Sequence, residues 1–216
     1  MPQQPDLSFE QALWQSGVRL LAGIDEAGRG ALAGPVFAAA VILPDDPACL
    51  DVLSGVRDSK QMTARQRTFW ADQIKITALA WGIAWVEAQQ IDQIGILPAT
   101  RLAARRAIEA LKPAPEHLLL DYLKLSEYGA RQTSLVKGDA RCLSIAAASV
   151  LAKTARDAQM LAYHRQYPAY GFAQHKGYGT QAHLAALEQS GPCPIHRRSF
   201  APVARLVSGL FPDPTI

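Results

Sequence analysis

Three apolar runs in this chain end on acids, and that recurrence constrains its fold more than any other feature. "LLAGID" leads into Asp25 and Glu26, "HLLLDY" (117–122) into Asp121, and "SLVKGD" (134–139) into Asp139. Short, continuous apolar runs bounded by turn residues read as buried strands. Acids are scarce inside such stretches, because a buried charge is costly unless it is compensated. The ends of neighbouring strands lie together, and open sheets bind ligands at their carboxyl ends. Carboxylates gathered there repel: at about 4 Å and an effective dielectric near 20, each pair costs roughly 4 kcal/mol. Such a group persists where some members are protonated or a cation binds. Hard oxygen donors of this kind suit Mg²⁺ or Mn²⁺. Taken singly, each acid reads more readily as a turn or capping residue; the four together are less easily dismissed.

The remaining pattern surrounds these runs with further strands and with helices. "VFAAAVIL" (36–43) is apolar throughout and reads as a strand buried on both faces. "ALAWGIAWVEA" (78–88) reads as another strand. "TARQRTFWADQIKI" reads as a helix behind a Thr63 N-cap. "GILPATRLAARRAIEAL" is amphipathic, with Leu97, Ala104, Ile108 and Leu111 on one face and Arg101 and Arg105 on another. "LSIAAASVLAKTARDAQMLAYHRQY" is a long helix whose apolar start predicts a path through the core, and a further helix falls near "QAHLAALEQS". The expected class is therefore α/β, a mixed central sheet flanked by helices. The 216 residues suffice for one core. No apolar run is long enough to span a membrane, and the first twenty residues lack the pattern of a signal peptide. Three cysteines without a framework spacing point to a reduced, cytoplasmic protein. A net charge of +3 and a pI near 8.8 permit a polyanionic partner without requiring one.

The loop after the first acidic pair, in "AGIDEAGRGALAGPV" (22–36), needs its own account. Gly28, Gly30 and Gly34 do not form a dinucleotide fingerprint, and no Walker lysine follows them, so nucleotide-cofactor folds are poor fits. A bare backbone beside the acids, with Arg29 inside it, suits contact with a sugar-phosphate chain; a tight structural turn is the alternative. Ser59 and Lys60 in "RDSKQMTARQR" are candidate phosphate contacts, or part of a solvated face. Lys176 and the run His196-Arg197-Arg198 are further phosphate candidates. Tyr178, between glycines in "HKGYGT", can stack on a base or sugar, or simply pack. Cys193 and His196 form a C-x₂-H pair without a matching second pair, so zinc is disfavoured. Asp157, following Lys153 and Arg156 on the long helix, reads as a salt-bridge partner.

"GIDEAGRG" followed by "AGPV", then "RDSK", "LLLD", "VKGDA", "SIAAASVLAKTARD", "YGFAQHKGYGT" and "HRRSF", resemble ribonuclease HII, the bacterial type 2 ribonuclease H. The blocks occur in that family's order from about residue 20 to about residue 203. The resemblance implies an RNase H-like fold and endonucleolytic cleavage of RNA in RNA/DNA hybrids. It also implies incision at single ribonucleotides embedded in duplex DNA. It places Asp25, Glu26, Asp121 and Asp139 on four metal-coordinating acids. Gly28-Arg29-Gly30 falls on the loop that senses the ribonucleotide 2′-hydroxyl, and Tyr178 on a sugar-stacking tyrosine. Two divalent cations, Mn²⁺ or Mg²⁺, can then activate water and stabilise the leaving 3′-oxygen, giving 5′-phosphate and 3′-hydroxyl ends. The implied division is a lead-in over 1–18, a catalytic unit over 19–180 and a C-terminal helical extension over 181–216. A monomer without membrane contact is expected; a replication-clamp or polymerase partner stays open. Ala31 stands where that family usually has proline, and Tyr122 where glycine often follows the third acid. The helix around "IDQIGILPATRLAARRAI" lacks the usual asparagine and methionine.

Overall fold

The computed structural model describes residues 4–210, so the outermost parts of the expected lead-in (1–3) and extension (211–216) lie outside the described residues. In chain order the elements are α1 (Ser8–Gln15), β1 (Leu21–Ala27), β2 (Val36–Ile42), α2 (Cys49–Val52), α3 (Ala64–Thr77), β3 (Ala80–Val86), α4 (Ala88–Ile94) and α5 (Ile96–Glu109). There follow β4 (His117–Asp121), β5 (Gln132–Leu135), α6 (Leu143–Gln166), α7 (Phe172–His175), α8 (Gln181–Ser190) and α9 (Ala201–Leu210). The five strands form one mixed sheet in the order β3-β2-β1-β4-β5. β1, β2 and β3 are antiparallel neighbours, while β1, β4 and β5 run parallel. Every residue of β2 is buried, as its uninterrupted apolar run predicts. Helices cover both faces, giving the RNase H-like α/β architecture.

Small residues let those helices sit close. A Cβ added at Gly23 on β1 would lie 2.1 Å from the carbonyl carbon of Ser144, so the α6 backbone rests directly on the strand. On the opposite face, a Cβ at Gly82 would lie 2.2 Å from the carbonyl oxygen of Ala107 on α5. The residues of α6 from Leu143 to Ala152 are all buried, as its apolar start predicts. Its N-terminus is capped from a distance: the buried Glu10 of α1 accepts the Ser144 N–H at 2.8 Å. A carboxylate there satisfies an orphan donor and complements the positive end of the helix dipole. α3 begins at a capping box in which Thr63 accepts the Gln66 N–H at 3.3 Å and Gln66 accepts the Thr63 N–H at 2.9 Å.

Three boundaries differ from the sequence expectation. The strand expected over 78–88 stops at Val86, and residues 88–94 are helical. Gly95, at φ +83°, separates that helix from α5. Leu97 lies in the first turn of α5 and is 41% exposed; the buried stripe is Ala99, Thr100, Ala103, Ala104, Ala107 and Ile108, with Leu111 beyond. The strand expected over 134–139 begins earlier and ends at Leu135. Lys137 adopts φ +55° and turns the chain, so Asp139 sits on a single 3₁₀ turn (Gly138–Ala140) rather than at a strand end.

Beyond α6 a separate apolar cluster gathers Met160, Tyr170, Phe172, Leu187, Ile195 and Val203 against Leu32 and Ala33. Two buried histidines run through it as a one-directional relay. The Cys193 N–H donates to His196 Nδ1 at 3.0 Å, which leaves the His196 proton on Nε2. His196 Nε2 therefore donates to His183 Nε2 at 3.0 Å, and His183 Nδ1–H donates to the Tyr178 carbonyl at 3.0 Å. The relay requires both rings neutral. Burial, with His183 as a further cause, pushes His196 down to about 4, and burial lowers His183 as well. A histidine held neutral contributes stability that is complete above the unfolded value near 6.5 and is lost as pH falls from there to about 4. For His196 this is on the order of 3 kcal/mol. Thermal unfolding followed from pH 7.5 to 4.5 should therefore show a falling Tm across that window, and His196→Gln should flatten the slope while lowering Tm at pH 7.5.

Candidate active site

The sheet register brings the acids together. Ile24 of β1 pairs with Leu120 of β4 in parallel, so Asp25 and Asp121 are carried on adjacent strand ends. Side chains alternate across a strand, so Asp25 shares the α6 face with Gly23 while Glu26 leaves from the other. Asp139 arrives from the 3₁₀ turn, which the Gly138 N–H ties to Asp121 Oδ1 at 2.7 Å. Burial, then the neighbouring Glu26, pushes the Asp25 carboxyl well above the usual range; a hydrogen bond with Ser149 offsets part of this. Glu26 is raised by burial, against the pull of Arg29, whose Nη1 donates to its Oε1 at 3.0 Å. Asp139 is raised by burial and by Asp58 and Asp121, and Lys60 opposes this from 3.8 Å. Burial alone would lower Lys60, but Asp139, Asp58, Asp25 and Asp121 together hold it up. A donor set made wholly of carboxylate oxygens, three of whose members hold their protons more tightly than usual, fits a hard divalent cation. Among the described residues no three His, Cys, Asp or Glu side chains form a ready metal cage. The acids stand as a mutually repelling group rather than a preformed ligand shell.

Beside the acids the glycine loop is held from behind. Ala31 bridges to Tyr178 and Ala33 to His196, the Leu32 N–H donates to the Gly177 carbonyl at 2.8 Å, and the Ala31 N–H closes a turn onto Gly28 at 3.3 Å. That last bond is one that the proline usual in the resembling family could not make. Two fully buried arginines take the loop's carbonyls. Arg156 donates to Pro35 at 3.0 Å and to Ala33 at 3.2 Å, while Arg197 donates to Gly34 and Arg29, both at 2.9 Å. Gly28, at φ +96°, has no room for a side chain: its Cβ would lie 1.9 Å from Arg156 Nε. The Arg156 guanidinium and the Lys153 ammonium lie 5.2 and 5.7 Å from the centre of the Tyr178 ring. A cleft of about 650 Å³ opens here, lined by Glu26, Gly28, Arg29, Gly30, Lys60, Lys153 and Tyr178 among others. A second, of about 600 Å³, is lined by Lys60, Asp121, Tyr122, Lys137 and Asp139 among others.

The candidate residues thus divide. Asp25, Glu26, Asp121, Asp139, Gly28, Arg29, Gly30, Lys60 and Tyr178 share this region. Ser59 lines the cleft but is buried, with its hydroxyl 2.9 Å from that of Ser149, so it supports the Asp25 neighbourhood rather than standing free for a phosphate. Arg197 is likewise not a surface phosphate contact; burial and the adjacent Arg156 push it down to about 9, and its donors serve the loop. Of its neighbours in the run, His196 belongs to the relay, while Arg198 is exposed and its N–H donates to Asp92. Lys176 is half-buried and its ammonium contacts the Ala173 carbonyl. Asp157 is bridged by Arg67 at 3.0 Å and Lys153 at 2.6 Å, the salt-bridge role that its spacing suggests. Sequence reasoning missed Ser149, Lys153, Arg67 and Arg156. The available signal for three of these was helical: positions 149, 153 and 156 share one face of α6.

Comparison with known proteins places the chain in a family. Residues 22–203 match the family model described as Ribonuclease HII. The chain is 55% identical over 208 residues to the ribonuclease HII of Synechococcus sp. (strain JA-3-3Ab), covering 95% of this chain and 92% of that one. It is 50% identical over 202 residues to the ribonuclease HII of Bordetella pertussis, covering 93% and 96%. Among solved structures, the ribonuclease H2 from Pyrococcus horikoshii OT3 superposes with a TM-score of 0.74 at 22% identity, over 89% of this chain and 99% of that one. The fold is also that of Bst-RNase HIII, solved in complex with Mn²⁺, with a TM-score of 0.66 at 21% identity over 91% and 72%. RNase HII from Archaeoglobus fulgidus, solved with PCNA, gives 0.71 at 24% identity over 91% and 98%.

Because Asp25 is protonated more readily in the fold than in the open chain, its ionisation opposes folding as pH rises. In EDTA at pH 7.5, Asp25→Asn should be more stable than the parent, and the gap should narrow as pH falls. Millimolar Mn²⁺ or Mg²⁺ should raise the Tm of the parent more than that of the variant. Equal metal responses would remove Asp25 from the ligand set.

Proposed function

The chain belongs to the ribonuclease HII family, endonucleases that cleave the RNA of RNA/DNA hybrids, and on that premise we propose that it also incises duplex DNA at single embedded ribonucleotides, using divalent metal ions held by Asp25, Glu26, Asp121 and Asp139. The observation that carries this reading is the acid group at the sheet edge, with raised carboxyls and a lysine in its midst, beside a loop whose carbonyls are drawn inward. The Mn²⁺ bound by an RNase HIII of the same fold supports a metal of that class. Bound divalent cations would supply an activated water and neutralise charge at the scissile phosphate.

The residues of the chain do the rest. With Arg156 and Arg197 occupying carbonyls of residues 29, 33, 34 and 35, the Gly28–Gly30 backbone is left to face the cleft. A backbone lacking side chains approaches a ribose 2′-hydroxyl, the group that distinguishes RNA from DNA, without collision. Tyr178, fixed through its carbonyl by His183, presents its ring to the next sugar. Lys60, Lys153 and Arg29 offset the acids' repulsion of the phosphodiester. No side-chain nucleophile is needed, and base sequence is not read. A sliding clamp is the partner suggested by the archaeal RNase HII solved with PCNA.

Cleavage of three labelled duplexes tests this: all-DNA, DNA with one ribonucleotide, and a continuous RNA/DNA hybrid. The parent should cut the second and third in Mg²⁺ or Mn²⁺, leave 5′-phosphate ends and spare the first; Asp25→Asn and Asp121→Asn should cut none. Failure of the parent on the single-ribonucleotide duplex would limit it to hybrids. Tyr178→Ala should lose roughly fivefold or more on that duplex, consistent with the low end of aromatic stacking, while parent-like rates on both substrates would return Tyr178 to a packing role.

A further inference from the structure

A third cleft, of about 550 Å³, runs from Arg29 along the far side of Tyr122, and its lining includes Arg101, Lys124, Leu97 and Val136. It adjoins the two clefts at the acids: Arg29 is shared with the first, while Tyr122 and Val136 are shared with the second. Three cations and no carboxylate line it. Among them stand apolar side chains that packing does not explain: Tyr122 is 71% and Val136 63% exposed.

Tyr122 is also held in an unfavourable backbone geometry. It follows Asp121 directly, adopts φ +55°, and forms the centre of a three-residue γ-turn in which the Leu123 N–H donates to the Asp121 carbonyl at 2.6 Å. Its own N–H stays in register with the sheet, donating to the Leu135 carbonyl at 2.8 Å. A bulky side chain is disfavoured at positive φ, where glycine is at ease, and γ-turns of this hand are rare and strained. The ring therefore gains nothing from the core, and the turn would be relieved by its removal. Strain retained at a site edge points to use.

Resting on the function proposed above, the geometry points to Tyr122 as a nucleic-acid contact: its ring packs against a sugar of the substrate duplex beside the scissile bond, in a groove where Arg29, Arg101 and Lys124 meet the phosphates. Basic side chains interleaved with an exposed aromatic are the chemistry of a sugar-phosphate track, and the groove is continuous with the acids that would cut. Tyr178 lines a different cleft, so the duplex would be held by two aromatic contacts rather than one.

The test compares the parent with Tyr122→Gly and Tyr122→Phe, using a duplex with one ribonucleotide. Affinity is read by fluorescence anisotropy in EDTA at fixed salt, cleavage in Mg²⁺, and stability by Tm. Tyr122→Gly should keep or raise Tm while weakening binding and raising KM roughly 5–10-fold, with kcat changed less than about twofold. Tyr122→Phe should retain most of the affinity. A duplex shortened on one side of the ribonucleotide, so that it no longer enters the groove, should bind parent and Tyr122→Gly alike. Unchanged affinity in Tyr122→Gly overturns the inference, as does a fall in Tm with a matching loss of kcat, which would make the ring a structural support of Asp121. A parent that binds and discriminates through Tyr122 but cuts neither ribonucleotide substrate would instead sink the functional reading.

Discussion

The backbone of α6 lies against β1 with no side chain between them, and the site depends on that contact. Gly23 permits it, and any larger residue there would meet the Ser144–Ile145 peptide. Two residues further along the same face of β1 comes Asp25, and the α6 turn that follows Ser144 brings Ser149 to it, while Lys153 and Arg156 further along the helix lie at the Tyr178 ring. The separation of strand and helix thus sets how the acid and the hydroxyl meet. Glu10 secures the same end of the helix by taking up the Ser144 N–H, so α1 is tied to the acid-bearing face although it is remote from it in sequence.

Two buried arginines without a carboxylate in their hydrogen bonds then shape the glycine loop. Burial lowers both, and the second is lowered further by the first, which is the electrostatic cost of the arrangement. Both are partly compensated by carbonyls of residues 29–35. In return the loop is fixed in one conformation and a positive charge stands behind it. A phosphodiester approaching four carboxylates meets repulsion; buried cations, Lys60 and Lys153 make the approach to such an acidic edge less unfavourable.

The glycine loop and the Tyr178 segment, proposed above to meet the substrate, are thereby braced by buried groups behind them. The relay from Cys193 through His196 and His183 ends on the Tyr178 carbonyl, and its direction is settled by the first donor, a backbone N–H that cannot reverse. Tyr122 is the contrasting case: its backbone is held by its turn and by Leu135, but its ring stands in solvent. The tyrosine after the third acid thus stands at the edge of the acid group, exposed and in a strained turn.

The sequence by itself determined the class of the fold and where the acids would gather. Apolar runs of strand length state burial, acids at their ends state exception, and the Thr63 capping box and the Lys153–Asp157 spacing are complete within one turn of chain. What it could not carry was any feature that depends on partners far away along the chain. Asp139 was legible as an acid of the site but not as a residue on a 3₁₀ turn, because positive φ at Lys137 has no side-chain signature. Arg197 in a basic run looks like surface. Only the tertiary structure shows it buried, because its acceptor at Gly34 lies 163 residues away. Ser59 and Ser149 meet across 90 residues in the same way. Local pattern encodes period, caps and turns, whereas the choice of which cation is buried and which is exposed belongs to packing between distant segments.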